Sequence, residues 1–110
     1  MLEVIIPKTI KVGGFDYSIL IGEHTNNELD CASLWGQTNY TNHEIRVKVS
    51  SNAQQLSSTF LHELVHAADG VYNRAKLPED DVDAIAQGLF QMLEQLGVRF
   101  VVAKSRQEGI

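Results

Sequence analysis

The sequence predicts one α+β domain over residues 1–110, and three observations lead there. The first half is rich in short β-prone segments bounded by turn formers. The second half carries two long stretches with apolar residues at helical spacing. Nothing between the halves reads as a linker or a repeat, and 110 residues is the usual size of a single domain. With 44% hydrophobic and 21% charged residues and two prolines, the composition is that of a folded globular chain.

Each element follows from local pattern. Val4 to Ile6 and Thr9 to Val12 are β-rich, Gly13-Gly14 signals a turn, and Phe15 to Ile21 alternates again, so the chain opens with strands that include a hairpin. Glu23 to Leu34 carries a few apolar residues at helical spacing and reads as a short helix. Trp35 to Asn42 is dense in turn formers. Glu44 to Val49 then alternates charged with β-branched residues at period two, predicting a half-exposed edge strand. Its Arg46 and Lys48 either guard that edge against unwanted pairing or border a groove for an extended peptide.

Asn52 and Gln55 resemble a capping box, and Leu56, Phe60, Leu61, Leu64 and Ala68 recur with a period near 3.6 as far as Gly70, which marks the first long helix. A loop with Tyr72, Asn73 and Pro78 follows. Val82, Ile85, Ala86, Leu89 and Leu93 mark a second amphipathic helix that ends before Gly97. Val98 to Val102 reads as a last strand, and Lys104 to Ile110 as a frayed polar tail.

The charge balance narrows the function classes. A net charge of −5, with nine scattered Lys and Arg residues, opposes binding to phosphate backbones, so no nucleic-acid partner is expected. The apolar run at Met1 to Ile6 is too short for a secretory signal or a membrane span, which predicts a cytoplasmic protein without a membrane partner. Cys31 is the single cysteine, which rules out an intrachain disulfide and a thiolate zinc cage and reads as a semi-buried thiol without a role.

Chemistry concentrates in His62-Glu63-Leu64-Val65-His66. Two histidines four residues apart on a helix lie one turn apart on one face, where their imidazoles can share an ion. At about 100° per residue that face lies opposite Leu56, Phe60 and Leu64, so an ordinary solvated polar stripe is the competing description. Glu63 separates the two. Hydrolysis at a metal needs a carboxylate that orients the attacking water and takes its proton, and the residue after the first histidine reaches that water without ligating the ion.

With these residues, and the wider string Thr59 to Ala68, the chain resembles the zincin metallopeptidases, and in particular the small gluzincin-like proteins of phages and prophages, over about Gly36 to Leu93. The resemblance implies Zn2+ bound by His62 and His66, Glu63 as general base, and a peptide or protein substrate. It also implies a minimal zincin-like fold: a small twisted mixed sheet whose edge strand borders the cleft, the motif helix, and a second helix with the third ligand. A zinc-holding regulatory or peptide-binding module with latent or lost activity is the alternative.

A catalytic zinc takes three protein ligands and leaves one position open. The zincin branch with a third histidine would carry it where Tyr72 stands, which excludes that branch, and His24 and His43 precede the motif and read as ordinary polar residues. Among the acids that open the second helix, projection from the apolar face places Glu79 nearest the buried side and Asp83 at its margin. Glu79 is therefore the expected third ligand. The spacing of the pair is similar to the gluzincin arrangement in which an Asp, here Asp83, holds a histidine ligand through its other ring nitrogen, with Asp83 as the alternative ligand. Tyr72, or else Tyr40, is the expected hydrogen-bond donor to an oxyanion.

Overall fold

The computed structural model describes residues 1–50 and 52–107, and among these the chain forms six strands and four helices. The hairpin expected at Gly13-Gly14 joins β2 (Thr9–Val12) to β3 (Phe15–Leu20). Gly13 has φ 63°, a value that L side chains rarely adopt. After β3 the chain forms helix α1 (Glu23–Cys31), strand β4 (Gly36–Asn39) and strand β5 (Glu44–Val47). The four strands make one sheet in the order β2-β3-β5-β4, with β3 and β5 parallel and the other pairs antiparallel. The fold is α+β with mixed strand directions.

This order corrects the edge expected at Glu44–Val49. Strand β5 lies inside the sheet, paired on both sides, because Ile45 and Val47 are fully buried and require cover. The edge strands are β2 and β4, the latter in the stretch read as turn formers. Arg46 and Lys48 do not guard an edge: they form ion pairs with Glu28 and Asp30 of α1.

Helix α2 (Ala53–Tyr72) packs across the sheet. Asn52 caps it, its side chain accepting from the Gln54 and Gln55 amides at 3.0 and 3.1 Å. The reciprocal half of the capping box is absent, since Gln55 Nε2 donates to Thr59 Oγ1. Phe60, Leu56 and Ala67 meet Tyr17, Ile19, Ile45 and Val47 in the core, and Ile6 and Val102 extend it. Burying a side chain of the size of Phe60 contributes about 1.5–3 kcal/mol, so this single layer fixes the helix on the sheet. The helix runs through Gly70, where a side chain would collide with the Tyr40 ring, so that glycine permits a close approach and does not end the helix.

Helix α3 (Glu79–Gln95) returns antiparallel beside α2, with Val82 and Ala86 buried. Strand β6 (Val98–Val101) then pairs in parallel with β1 (Leu2–Ile5) as a separate two-stranded sheet, so β1 does not join the hairpin beside it in sequence. Phe100 sets this small sheet against α2 through an edge contact with Phe60, and its backbone exchanges hydrogen bonds with the Ser57 hydroxyl.

The tail expected to fray contains one more helical turn, α4 (Lys104–Gln107), and residues 108–110 of that expectation lie outside the described residues. Arg106 anchors the turn by donating to the carbonyls of Ile6, Pro7 and Ile19. Cys31 is exposed, not semi-buried. Among the described residues no helix is long and apolar enough to cross a membrane.

Candidate functional site

The α2–α3 pair brings three of the expected residues to one point. His62 and His66, one turn apart, both face α3 and are about one-fifth exposed. Their Nε2 atoms stand 3.2 Å apart. Glu79, at the start of α3, closes the group: its Oε1 lies 2.8 Å from His62 Nε2 and its Oε2 3.0 Å from His66 Nε2. Asp83 stands one turn further along, 3.5 Å from the other ring nitrogen of His62. The solvated-stripe description does not fit a pair of half-buried rings turned on one carboxylate.

The donor chemistry of this group fits a metal ion. Donors held at 2.0–2.1 Å around a tetrahedral zinc stand about 3.3 Å apart, close to the separations seen here. The two Nε2 atoms and both carboxylate oxygens of Glu79 thus bring their ligand atoms to a common point. His62, His66 and Glu79 therefore could hold an ion, with Asp83 fixing the His62 ring from behind.

Glu63 lies on the sheet side of the histidine pair, within reach of β4, and is 5% exposed. The single hydroxyl hydrogen of Thr38 in β4 is shared between two acceptors on Glu63, Oε1 at 2.8 Å and the backbone carbonyl at 3.1 Å. Gly36, two residues earlier, lets the strand approach: a side chain there would lie 2.8 Å from Glu63 Oε2 and 2.9 Å from Thr59 Cγ2. Burial pushes the Glu63 carboxyl above the ordinary range, while the Thr38 hydrogen bond and the two histidines pull it down. Its Oε2 carries no hydrogen bond among the described residues and is placed to accept a proton.

A cleft of about 580 Å³ runs between β4 and the two helices. One wall is Leu34, Trp35 and Tyr40; the other carries Gln55, Ser58 and Gln87, with the histidine pair and Glu63 on the floor. The amine of Lys48 sits over the Trp35 ring at 4.7 Å and holds that side chain at the rim.

The structure does not bring Tyr72 to the cleft. The residue is 72% exposed at the end of α2, and its hydroxyl accepts from the Gly13 amide at 2.8 Å. The helix continues past Gly70, so position 72 turns away from the histidine face. Tyr40 is the tyrosine on the cleft wall. Burial, and then Asp69, raise its hydroxyl above its ordinary pKa, so it stays protonated and able to donate. His24 lies beside Glu28 and His43 stacks on Phe15, both away from the cleft.

Three residues that position the site escaped the sequence reading. Thr38 and Gly36 lay in a segment taken as turns. Asp69, 5% exposed, accepts from Asn73 Nδ2 and from the Leu77 amide, while its carbonyl accepts from the amides of Asn73 and Ala75. These bonds hold a loop in which Arg74 and Ala75 both have positive φ, and this loop sets Glu79 opposite the histidines. An acid in the last turn of a helix was the available signal, because a helix C-terminus disfavours negative charge. No family model, curated protein or solved structure matched this chain.

Proposed function

We propose that this chain is a zinc-dependent peptidase of minimal zincin type, with His62, His66 and Glu79 as metal ligands and Glu63 as general base. One observation carries the reading: three donor atoms of a size and spacing suited to zinc converge at the floor of a cleft, with a partly desolvated carboxylate from the same helix turn beside them. When bound, zinc supplies Lewis acidity that polarises a carbonyl oxygen and makes water a nucleophile near neutral pH.

The protein's own groups do the rest. Thr38 holds Glu63 by one oxygen and leaves Oε2 to take the proton of the attacking water, and Glu63 then returns it to the leaving amine. Tyr40, protonated and facing the cleft, donates to the carbonyl oxygen as it gains charge, the role that had been expected of Tyr72. Asp83 keeps the His62 ring in orientation through Nδ1. An extended peptide lies along the free edge of β4, whose backbone groups supply pairing; Glu44–Val47 is enclosed by its neighbours and offers none. The net charge of −5 suits such a peptide better than a nucleic acid.

The test is zinc stoichiometry by elemental analysis on untagged protein. Wild type and Glu63→Gln carry about one zinc per chain, whereas His62→Ala, His66→Ala and Glu79→Ala lose it, and only wild type cleaves a peptide library. Wild-type protein that stays metal-free after refolding with zinc refutes the reading. Full zinc loading without turnover would favour the non-catalytic module.

A further inference from the structure

Helix α3 has a second face that the site does not use. Glu79, Asp83 and Gln87 point to the cleft, while Ile85, Leu89, Met92 and Leu96 form a stripe on the other flank. These four are 45%, 38%, 55% and 77% exposed. Their spacing of four, three and four residues is that of the seam between two packed helices. At about 100° per residue, Ala84, Gly88, Gln91 and Gln95 lie beside the stripe on its solvent side. From Ala84 to Leu96 the single ionisable side chain is Glu94, which Arg99 and Gln54 already hold.

Gly88 is the informative residue. A glycine in mid-helix weakens the helix relative to almost any other residue, so its presence needs a reason. Within the described chain there is none: its φ is unremarkable, and a side chain added there would meet nothing within 4 Å. A residue without a side chain at the centre of an uncharged, apolar helix face allows another backbone to approach closely.

We infer that this face pairs with the same face of a second copy of the chain, two α3 helices crossing in antiparallel about Gly88. Area supports a second copy. The exposed parts of the stripe and its small and amide neighbours, with Leu2 beside the helix end, present on the order of 700 Å² per copy, against about 800 Å² per partner in a standard interface. Leu2 is adjacent because its amide donates to the Gly97 carbonyl. Charge supports it too. Two chains of net charge −5 repel, and this is a face where self-pairing sets no like charges together. Antiparallel pairing about Gly88 places Met92 over the partner's Ala84, large against small, and Asp81 against the partner's Gln95, carboxylate against amide. The two clefts stay open on the outer flanks, so the inference does not rest on the peptidase reading.

Sedimentation velocity on the full chain, from low to high micromolar concentration, tests this. The expected mass is twice the 12.2 kDa of one chain at the upper end. Met92→Glu places a charge in the seam and Gly88→Leu blocks the approach, and each weakens association by at least about tenfold. Gly88→Leu also raises the thermal stability of the monomer, since leucine is the better helix former, which separates lost pairing from lost folding. A monomeric wild type at every concentration overturns the proposal and leaves the face for a different protein. So does a dimer that neither substitution affects.

Discussion

Replacing Thr38 by valine keeps the shape of the side chain and removes the hydroxyl that donates to Glu63 at 2.8 Å. The acceptor is a carboxylate in a site that is 5% exposed, so water cannot readily take over. The hydroxyl has one hydrogen, directed to the carboxylate oxygen and shared with the Glu63 carbonyl, and a hydrogen bond to a charged group contributes about 1.5–3 kcal/mol. The metal-free protein should therefore lose about 2–3 kcal/mol at neutral pH, roughly 10–15 °C in Tm for a domain of this size.

The sign of the pH dependence is fixed by Glu63. Its folded pKa is raised by burial, so between the unfolded and folded values the native state binds more protons, and stability falls as pH rises through that window. The Thr38 bond opposes this fall. The cost of Thr38→Val thus grows with pH and shrinks in acid, where Glu63 is neutral in both states. The assay is urea unfolding in a chelator at several pH values, for Thr38→Val, Glu63→Gln and the double variant. In the Glu63→Gln background Thr38→Val should cost about 1 kcal/mol and show no pH dependence. An equal cost in both backgrounds would mean that the hydroxyl supports the strand and not the carboxylate.

The remaining predictions concern neighbouring contacts. Gly36→Ala drives a methyl into Glu63 and Thr59, so it should lower kcat at least about tenfold while zinc content stays near wild type; unchanged turnover would show that β4 does not set the base. Asp69→Ala removes a buried acceptor that holds the α2–α3 loop, costing about 1–3 kcal/mol and weakening zinc affinity together, read by denaturant unfolding and a competitive chelator titration. A stability loss with unchanged affinity would separate the loop from the metal group. Tyr40→Phe should reduce kcat by about 10²-fold with little effect on KM, whereas Tyr72→Phe should leave both unchanged and affect only the hairpin contact at Gly13; the reverse order would restore Tyr72 to the cleft.

The two long helices and the meeting of His62, His66 and Glu79 between them were legible in sequence because they depend on local periodicity. Leu56, Phe60 and Leu64 fix the phase of α2, which in turn places His62 and His66 on its opposite face, and the apolar run of α3 places Glu79 and Asp83 by the same arithmetic. Sheet order was not legible, since pairing depends on distant segments. Glu44 to Val47 alternates as an edge strand does, yet its polar side is covered by ion pairs to α1 that no local pattern announces. Gly36-Gln37-Thr38-Asn39 has weak strand propensity and forms a strand because Gly36 and Thr38 fit against α2. Tyr72 was misplaced by ending α2 at Gly70, where the glycine accommodates the Tyr40 ring.

The three donors of the site fall within residues 62–79, a single helical hairpin, whereas the strand that orients Glu63 arrives from residues 36–39. Closing so short a segment takes little chain entropy, and contacts of this range form early in folding, while pairing β4 with β5 and seating it on α2 waits for the assembled sheet. The grouping of His62, His66 and Glu79 and the alignment of Glu63 by Thr38 therefore depend on contacts of different range in sequence. On the proposed reading, the metal ligands of a partly folded chain can meet while Glu63 is still unaligned. The cutting activity proposed above would then belong to the finished molecule alone, since its base is set only when β4 is seated on α2.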